Sequence, residues 1–289
     1  AGGEGVNFDT NDIAWDCGKG HHRLSLAKFG MNGQLYSNWD VWGGISGASW
    51  ATSKYETRYF AGRRGPLLSI PPAYWYWAGF HSDHRADYKV ALSVTNRMDF
   101  DYGYSNEVSL QNQWNTSTRQ NYFFSLNYKR YYHGESHIAN LQNPGRGIGG
   151  VSYLFARLHQ EIYDFTLRAN FLFTRDLSLQ LYFQPFITTG DYYDPSELAR
   201  ADSYDFIPIV DVPGFDPEEV DIFDFRYAAV NTNVVLRWEY AAGSTFYLVW
   251  KQGYENYVMD DGSQPDPNDL FNREPENVIL AKVSYWFAT

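Results

Sequence analysis

Apolar and polar residues alternate along most of this chain with a period of two, the pattern of a β-strand that has one apolar side. In residues 163–174 the odd positions are apolar and the even positions are polar, apart from Leu172. A second run of this kind covers residues 177–188, and only Arg175 and Asp176 separate the two runs. A connection this short joins antiparallel strands, so the pattern predicts a β-hairpin.

The same alternation recurs often enough to predict an all-β fold. Clear runs lie at residues 88–97, 107–114, 121–129, 233–240, 246–250 and 279–287, and fainter ones at 22–30, 36–50 and 73–80. Together these runs give about eleven strands, residues 7–15 supply one more for about twelve, and no helix of ordinary length is indicated.

Connection lengths alternate along the chain. The short connections are residues 31–35, 82–87, 116–120, 175–176 and 241–243. The long ones are 51–72, 133–152, 190–226 and 253–276, with one shorter exception at 99–104. In a meander every second connection falls at the same end, and the strands of about 10 to 14 residues are long enough to cross hydrocarbon. We therefore predict an antiparallel up-and-down transmembrane β-barrel of about 12 or more strands, with short periplasmic turns and long extracellular loops.

In a barrel, one side of each strand is predicted to face lipid and the other side to face the lumen. The residues expected to face lipid are Phe165, Leu167, Phe171, Leu179, Leu181, Phe183, Leu236 and Trp238. The residues expected to face the lumen are Lys89, Arg97, Lys129, Arg168, Gln180, Arg237, Glu239, Lys251 and Lys282. A soluble sandwich also alternates, so strand length and loop asymmetry favour the barrel over it.

Composition narrows the function classes. The chain has 289 residues, with 10 Trp, 24 Tyr and 20 Phe against 23 Lys plus Arg, and a net charge of -11. An acidic chain without a basic stripe is not expected to bind nucleic acid. A single cysteine, Cys17, excludes an intrachain disulfide and a cysteine-based zinc site. The longest apolar run, residues 67–80, is about 14 residues long and interrupted, whereas a spanning helix needs about 20.

Acidic residues concentrate in two predicted loops. Residues 191–225 contain eleven Asp or Glu and one basic residue, and a smaller cluster follows at 260–269. Clustered carboxylates suit Ca²⁺, which makes Asp216, Glu218, Glu219, Asp260 and Asp261 the metal candidates. The spacing of a twelve-residue calcium loop is absent, and we favour solvated extracellular loops.

Three further motifs have both a chemical and a structural interpretation. The clusters at residues 81–84 and 133–137 combine His, Ser and acidic residues, but adjacency in sequence does not build a hydrolytic triad, and we expect no catalysis and no cofactor. The glycines of residues 145–150 precede a predicted strand rather than a helix, so a surface loop is favoured over a phosphate site. Trp75 and Trp77, with Tyr74 and Tyr76, could stack on sugars, but their place in a strand favours lipid contact or an interfacial girdle.

Three segments carry a resemblance to a known family. They are DLSLQLYFQPFITTGDY from Asp176, NTNVVLRWEYAAGSTFYLVWKQG from Asn231 and NVILAKVSYWF from Asn277. The last 140 or so residues resemble the C-terminal β-barrel of bacterial outer-membrane proteins whose N-terminal domain is similar to family-nine carbohydrate-binding modules. The resemblance implies that residues 1–289 form a barrel domain, with that module and some first strands outside this sequence. It implies no catalytic residues.

The sequence thus predicts a non-catalytic, integral outer-membrane barrel of a Gram-negative bacterium that serves as a membrane anchor or conduit. Its expected partners are outer-membrane lipid and lipopolysaccharide, with a surface protein or a glycan as further candidates. The alternatives are a porin-like solute channel, a cell-surface carbohydrate-binding or secretion component, and a soluble all-β carbohydrate-active protein.

Overall fold

The computed structural model describes residues 5–8, 13–16, 21–53, 56–57, 59–60, 63–100, 103–143, 145–212, 224–259 and 265–287. Nearly all of its regular structure is β-strand, arranged as one large antiparallel sheet and two small ones. The described helical elements are the short 3-10 turns Ile209–Asp211 and Pro267–Leu270. No helix in this part of the chain is both long and apolar enough to cross a membrane.

The large sheet follows the order of the chain as a meander. Its strands are β1 (Gly5–Phe8), β2 (Ile13–Asp16), β3 (His21–Gln34), β4 (Asp40–Ala48), β9 (Ala73–His81), β10 (Tyr88–Asp99), β11 (Tyr104–Ser117), β12 (Gln120–Gln142), β13 (Val151–Leu172), β14 (Leu177–Leu198), β15 (Phe206–Pro208), β16 (Phe225–Ala241), β17 (Ser244–Met259) and β18 (Glu276–Ser284). The predicted all-β, antiparallel architecture is therefore confirmed.

The N-terminal strand predicted at residues 7–15 falls on β1 and β2, and residues 9–12 between them lie outside the described residues. Both pair with β3, Phe8 opposite Phe29 and Ile13 opposite Leu24, so the two segments share one register. With β1 and β2 as one strand, the described meander has the predicted number of about twelve strands.

The sheet is open in the described residues. Its path begins at β1 and ends at β18, and no pairing joins these two ends. Among the described strands, β18 pairs with β17 alone, and eight of its nine residues are exposed.

Tight turns join the strands at one end of the sheet. They lie at residues 35–39, 82–87, 118–119, 173–176 and 242–243. The predicted connection at 31–35 is wrong, because β3 continues to Gln34 and the turn follows it. The alternation there is weak since glycines occupy several positions of β3 and β4.

At the other end, three strands continue well past their predicted limits. β12, β13 and β14 have 23, 22 and 22 residues. The first ten residues of the loop predicted at 133–152 therefore belong to β12, and the first nine of the loop predicted at 190–226 belong to β14. β17 similarly extends to Met259, inside the loop predicted at 253–276. Bulges between His133 and Ser136 and between His137 and Ala139 break the period of two, which conceals these extensions from sequence analysis.

The connection between β4 and β9 folds into a separate hairpin, residues 49–72, which we name the strap. Its two arms are β5 (Ala51–Ser53) and β8 (Leu68–Ile70), and β6 (Tyr59–Phe60) pairs with β7 (Arg63–Arg64) beyond them. Leu68 forms a bridge with Ser203, and the amide of Asp202 donates to the carbonyl of Leu67. The strap is thereby attached to the segment that follows β14.

The buried hydrophobic core lies around the strap. Leu68, Tyr153, Phe155 and Leu198 form a cluster of buried side chains, against which Ile148, Val151, Tyr204 and Phe206 pack. Residues 152–156 are buried on both sides of β13. We name the strap together with residues 133–157 and 190–212 the cap, and the remaining meander the wall.

Candidate functional site

Register pairing sorts the wall into an apolar face and a polar face. Residues directly opposite each other in a ladder share a face, and Leu167, Phe124 and Phe183 are linked in this way, as are Arg168, Phe123 and Tyr182. The eight residues predicted to face lipid all lie on the apolar face. The nine predicted to face the lumen all lie on the polar face. The structure thus groups these residues as the sequence pattern did.

The polar face has hollows between its side chains. A hollow of about 520 Å³ on this face is bounded by side chains from five consecutive strands, β10 to β14. Within it, Asp164 accepts from Asn127 Nδ2 at 3.2 Å and from Gln184 Nε2 at 2.8 Å. Lys129 pairs with Glu107 at 3.5 Å, and Tyr131 donates to the same carboxylate at 2.7 Å. These groups are satisfied within the wall, which gives the hollow fixed polar walls.

Two tryptophans lie flat on the polar face because glycines face them. A Cβ at Gly79 would collide with the Trp42 indole, and a Cβ at Gly44 with the Trp77 indole. An indole over a glycine covers exposed backbone, so these two rings have a packing role. The preference for a lipid-facing position is wrong for Trp75 and Trp77: Trp75 pairs with Arg97 and Ser46 on the polar face, and only Tyr74 and Tyr76 lie on the apolar face.

A deep cleft separates the strap from the polar face, and we name it the strap cleft. Its volume is about 740 Å³. The strap contributes Ala51, Ser53, Glu56, Leu68, Ile70 and Pro71, the wall contributes Trp75, Arg97, Asp99, Ser105 and Tyr131, and His133 comes from the cap segment 133–157. Sequence analysis missed this cleft because both faces of β9 carry aromatic residues there, which removes the contrast that orients a strand. Gly79 and Gly44, which face Trp42 and Trp77, were the available sign that tryptophans of these strands lie on the polar face.

Aromatic and charged groups meet inside the strap cleft. The rings of Tyr131 and His133 stack with centroids 5.4 Å apart and planes 13° apart. Asp99 accepts from the amide of Gly103 at 2.6 Å, which fixes its carboxylate at the end of β10. Arg97 has no ion-pair partner among the residues that the structure describes.

A row of charged residues, which we name the charged border, ends the apolar face near the cap. It contains Arg130, Arg157, His159, Glu161, Asp191 and Arg226. Arg130 lies 3.5 Å from Glu161, and His159 lies 3.8 Å from both Glu161 and Asp191. Arg226 pairs with Asp269 of the 3-10 turn that precedes β18. Between this border and the short turns, the described residues of the apolar face include no Asp, Glu, Lys or Arg.

In the two histidine clusters, several polar side chains have partners in the surrounding structure. Ser82 Oγ accepts from the amide of Val90, and Asp83 is occupied by Arg85 at 2.8 Å. That contact holds the pKa of the Asp83 carboxyl far below its usual value, because the Arg85 side chain and amide both donate to it. In the second cluster, His137 Nε2 lies 2.7 Å from Asn140 Oδ1.

The glycine-rich segment forms a turn in which Gly145, Gly147, Gly149 and Gly150 have positive φ angles. β13 follows directly, so the expected strand after these glycines is confirmed. The metal candidates Asp216, Glu218, Glu219, Asp260 and Asp261 lie outside the described residues. Within the described ranges, no group of three or more His, Cys, Asp or Glu is placed to hold a metal ion.

Comparison with known proteins gives one match. The family described as a domain of unknown function (DUF5916) matches residues 17–288. No curated protein matches, and no solved structure matches. The match covers all of the wall and the cap except β1 and β2. Because the family has no known function, the match gives no evidence for the carbohydrate-binding module or for the membrane-barrel family that the sequence resemblance implied.

Proposed function

This chain belongs to the DUF5916 family, and we propose that it is an integral outer-membrane β-barrel that acts as a membrane anchor or conduit at the cell surface. It performs no catalysis in this proposal. In this proposal the polar face lines the interior, and the apolar face contacts lipid.

The observation that carries the proposal is the uncovered apolar face of the wall. Large apolar side chains are exposed along β4, β9 to β12, β16, β17 and β18, and no described segment packs over them. Leu126 is 41% exposed and Trp238 is 49% exposed, each in the middle or near the end of a long strand. Soluble monomers rarely expose contiguous apolar patches larger than a few hundred Å². Hydrocarbon is the partner that this surface fits.

Aromatic residues lie near both limits of that face, as membrane interfaces favour. Near the short turns, Tyr122 packs against Trp114 and Phe171 with centroids 6.1 and 5.6 Å apart. Near the charged border, Tyr128 packs against Tyr163 at 5.0 Å, and Tyr104 stacks on Tyr132 at 4.3 Å. These two rows support the assignment of two membrane interfaces.

A barrel also requires that its first and last strands are paired. In hydrocarbon each unpaired backbone group costs several kcal/mol. We therefore expect the outer edges of β1–β2 and of β18 to be bonded in the membrane, to each other or to further strands. An even number of antiparallel strands permits the first option.

The first test is behaviour in detergent. We expect the folded chain to need detergent for solubility, to resist alkaline extraction from membranes, and to migrate differently on a gel before and after boiling. A chain that is folded and monomeric in plain buffer would overturn the proposal.

The second test concerns orientation. With the cap outside the cell, protease added to intact cells should cut in residues 143–150 or 199–212 and spare 118–119 and 242–243. Cleavage confined to the short turns would place the cap on the periplasmic side and refute the orientation.

A solute channel is the second candidate, because the polar face has hollows and carries charged side chains. Conductance in planar bilayers distinguishes it from a closed anchor. We expect deletion of the strap to raise the conductance if the lumen is a conduit, since the strap lies across part of the polar face.

A further inference from the structure

We infer that the strap cleft binds a neutral oligosaccharide, with Trp75 as the ring that stacks on a sugar. The position of the cleft at the outer mouth of a barrel rests on the proposed function. Its chemistry depends only on the residues that line the cleft.

The size and construction of the cleft fit a small polar ligand. About 740 Å³ lies within the usual range for ligand sites and exceeds what one bound ion or water cluster needs. One side is a long β-sheet and the other is the strap, which is attached by the bridge between Leu68 and Ser203 and by Asn140 Nδ2 of β12, which donates to the Thr57 carbonyl at 3.1 Å. A site between two attached elements is largely formed before the ligand arrives, which lowers the entropic cost of binding.

Trp75 differs from the other tryptophans of the polar face. Trp42 and Trp77 cover glycine backbone, and Trp42 also contacts His81 with centroids 4.7 Å apart. Trp75 has no ring contact or side-chain hydrogen bond with any described residue, and it is one of the residues that line the cleft. A sugar ring presents an apolar C–H face that stacks on such an indole, and the stacked Tyr131–His133 pair offers a second flat surface in the cleft.

The polar groups of the cleft match sugar hydroxyls, which both donate and accept hydrogen bonds. Arg97 supplies donors, while Asp99 and Glu56 supply acceptors. Ser105 and Ser136 can do both. Rigid groups such as Asp99, fixed by the Gly103 amide, give orientation as well as affinity.

The charge balance selects a neutral ligand over an anionic one. Arg97 is the one arginine that lines the cleft, whereas Glu56, Asp99 and Glu135 are acidic. Glu135 is already engaged by Arg157 at 3.7 Å and by Ser196 Oγ at 2.9 Å. A polyanion would meet net repulsion here, and a phosphate would find one cation beside three carboxylates.

The experiment is isothermal titration calorimetry on the full chain in detergent micelles. The probes are maltohexaose, cellohexaose, xylohexaose and chitin hexaose, with hexagalacturonate as the charged comparison. We expect at least one neutral hexasaccharide to bind with a dissociation constant below about 1 mM, and hexagalacturonate to bind at least about tenfold more weakly.

Three variants connect this binding to Trp75. Trp75→Ala should weaken binding about tenfold or more, the loss expected for one stacked ring, and Trp75→Phe should restore most of it. Trp114→Ala removes a tryptophan from the apolar face and should leave binding unchanged. Heat-modifiable migration of all three variants verifies that they are folded.

Several outcomes would overturn the inference: no neutral probe binds, hexagalacturonate binds best, or Trp75→Ala binds as well as the parent. These failures are distinct from failure of the proposed function. A detergent-dependent, heat-modifiable chain that binds no sugar refutes the sugar site alone, whereas a water-soluble chain that binds sugar refutes the membrane proposal alone.

Discussion

The wall and the cap use similar apolar side chains in opposite ways. In the cap, Leu154 and Phe155 are fully buried, on opposite sides of the same strand, and Leu198 is 1% exposed. In the wall, Trp250 is 37% and Ile279 is 71% exposed, although both lie in ladders with apolar neighbours. The cap has a core of the kind that forms in water, while no described segment packs over the apolar face of the wall. The contrast shows that hydrophobic sequence alone does not determine burial in protein.

The largest expected loss of stability comes from a substitution in the core of the cap. Phe155→Ala should cost about 3–5 kcal/mol of local stability, because it leaves a cavity between His137 and Phe206 that the strap cannot fill. We expect much faster cleavage of the strap by protease, with the wall intact in urea unfolding.

The matched control is Phe246→Ala in the wall. If its apolar face contacts lipid, acyl chains fill the space and the loss should be clearly smaller than for Phe155→Ala. Equal losses for both variants would mean that the wall face is packed against protein.

The second prediction introduces charge on each face of one strand. Leu181→Arg should destabilise the chain in a bilayer by about 2–4 kcal/mol, because the arginine would lie in hydrocarbon, whereas Gln180→Arg should cost far less on the polar face. Urea titration in lipid vesicles measures both. The opposite order would show that the two faces are assigned the wrong way round.

The third prediction concerns close packing on the polar face. Gly44→Ala should cost about 1–3 kcal/mol, because its Cβ would meet the Phe29 carbonyl and the Trp77 indole. Gly33→Ala, where no atom lies within 4 Å of the new Cβ, is the control and should be near neutral. If both variants unfold at the same urea concentration, Trp77 does not rest on Gly44.

The smallest effect lies in a turn far from the cap. The folded-state pKa of Asp83 is depressed by Arg85, so the contact stabilises the turn above the unfolded-state pKa and is lost as pH falls through the folded one. Asp83→Asn should therefore increase protease cleavage at residues 82–87 near neutral pH and remove its acid dependence. Asp176→Asn in another turn should change nothing at 82–87. Because Asp83 is on the surface, global stability should hardly change.

The sequence allowed prediction of the wall but not of the cap, for a physical reason. Apolar and polar residues alternate in a strand whose two sides meet different environments. The strands β10 to β14 and their two faces were therefore predictable in the wall, as around Leu126 and Leu167. Beyond Tyr132 bulges shift the register of β12, and residues 152–156 of the neighbouring β13 are buried on both sides, so the period of two no longer reports structure. The strap cleft combines residues far apart in sequence, such as Glu56 and Arg97, and alternation carries no information about that contact.

If the wall spans a membrane as proposed, the charged border has a consequence for the choice of membrane. From Glu161 to Phe171, β13 rises about 33 Å along its length at about 3.3 Å per residue. A strand tilted by about 40° would therefore span about 25 Å of hydrocarbon. A thicker bilayer would draw Arg130 and Glu161 into its acyl region or compress around the protein, and either response costs free energy for every ångström of mismatch. Hydrophobic thickness would thereby sort this protein into thin membranes, independently of any targeting signal.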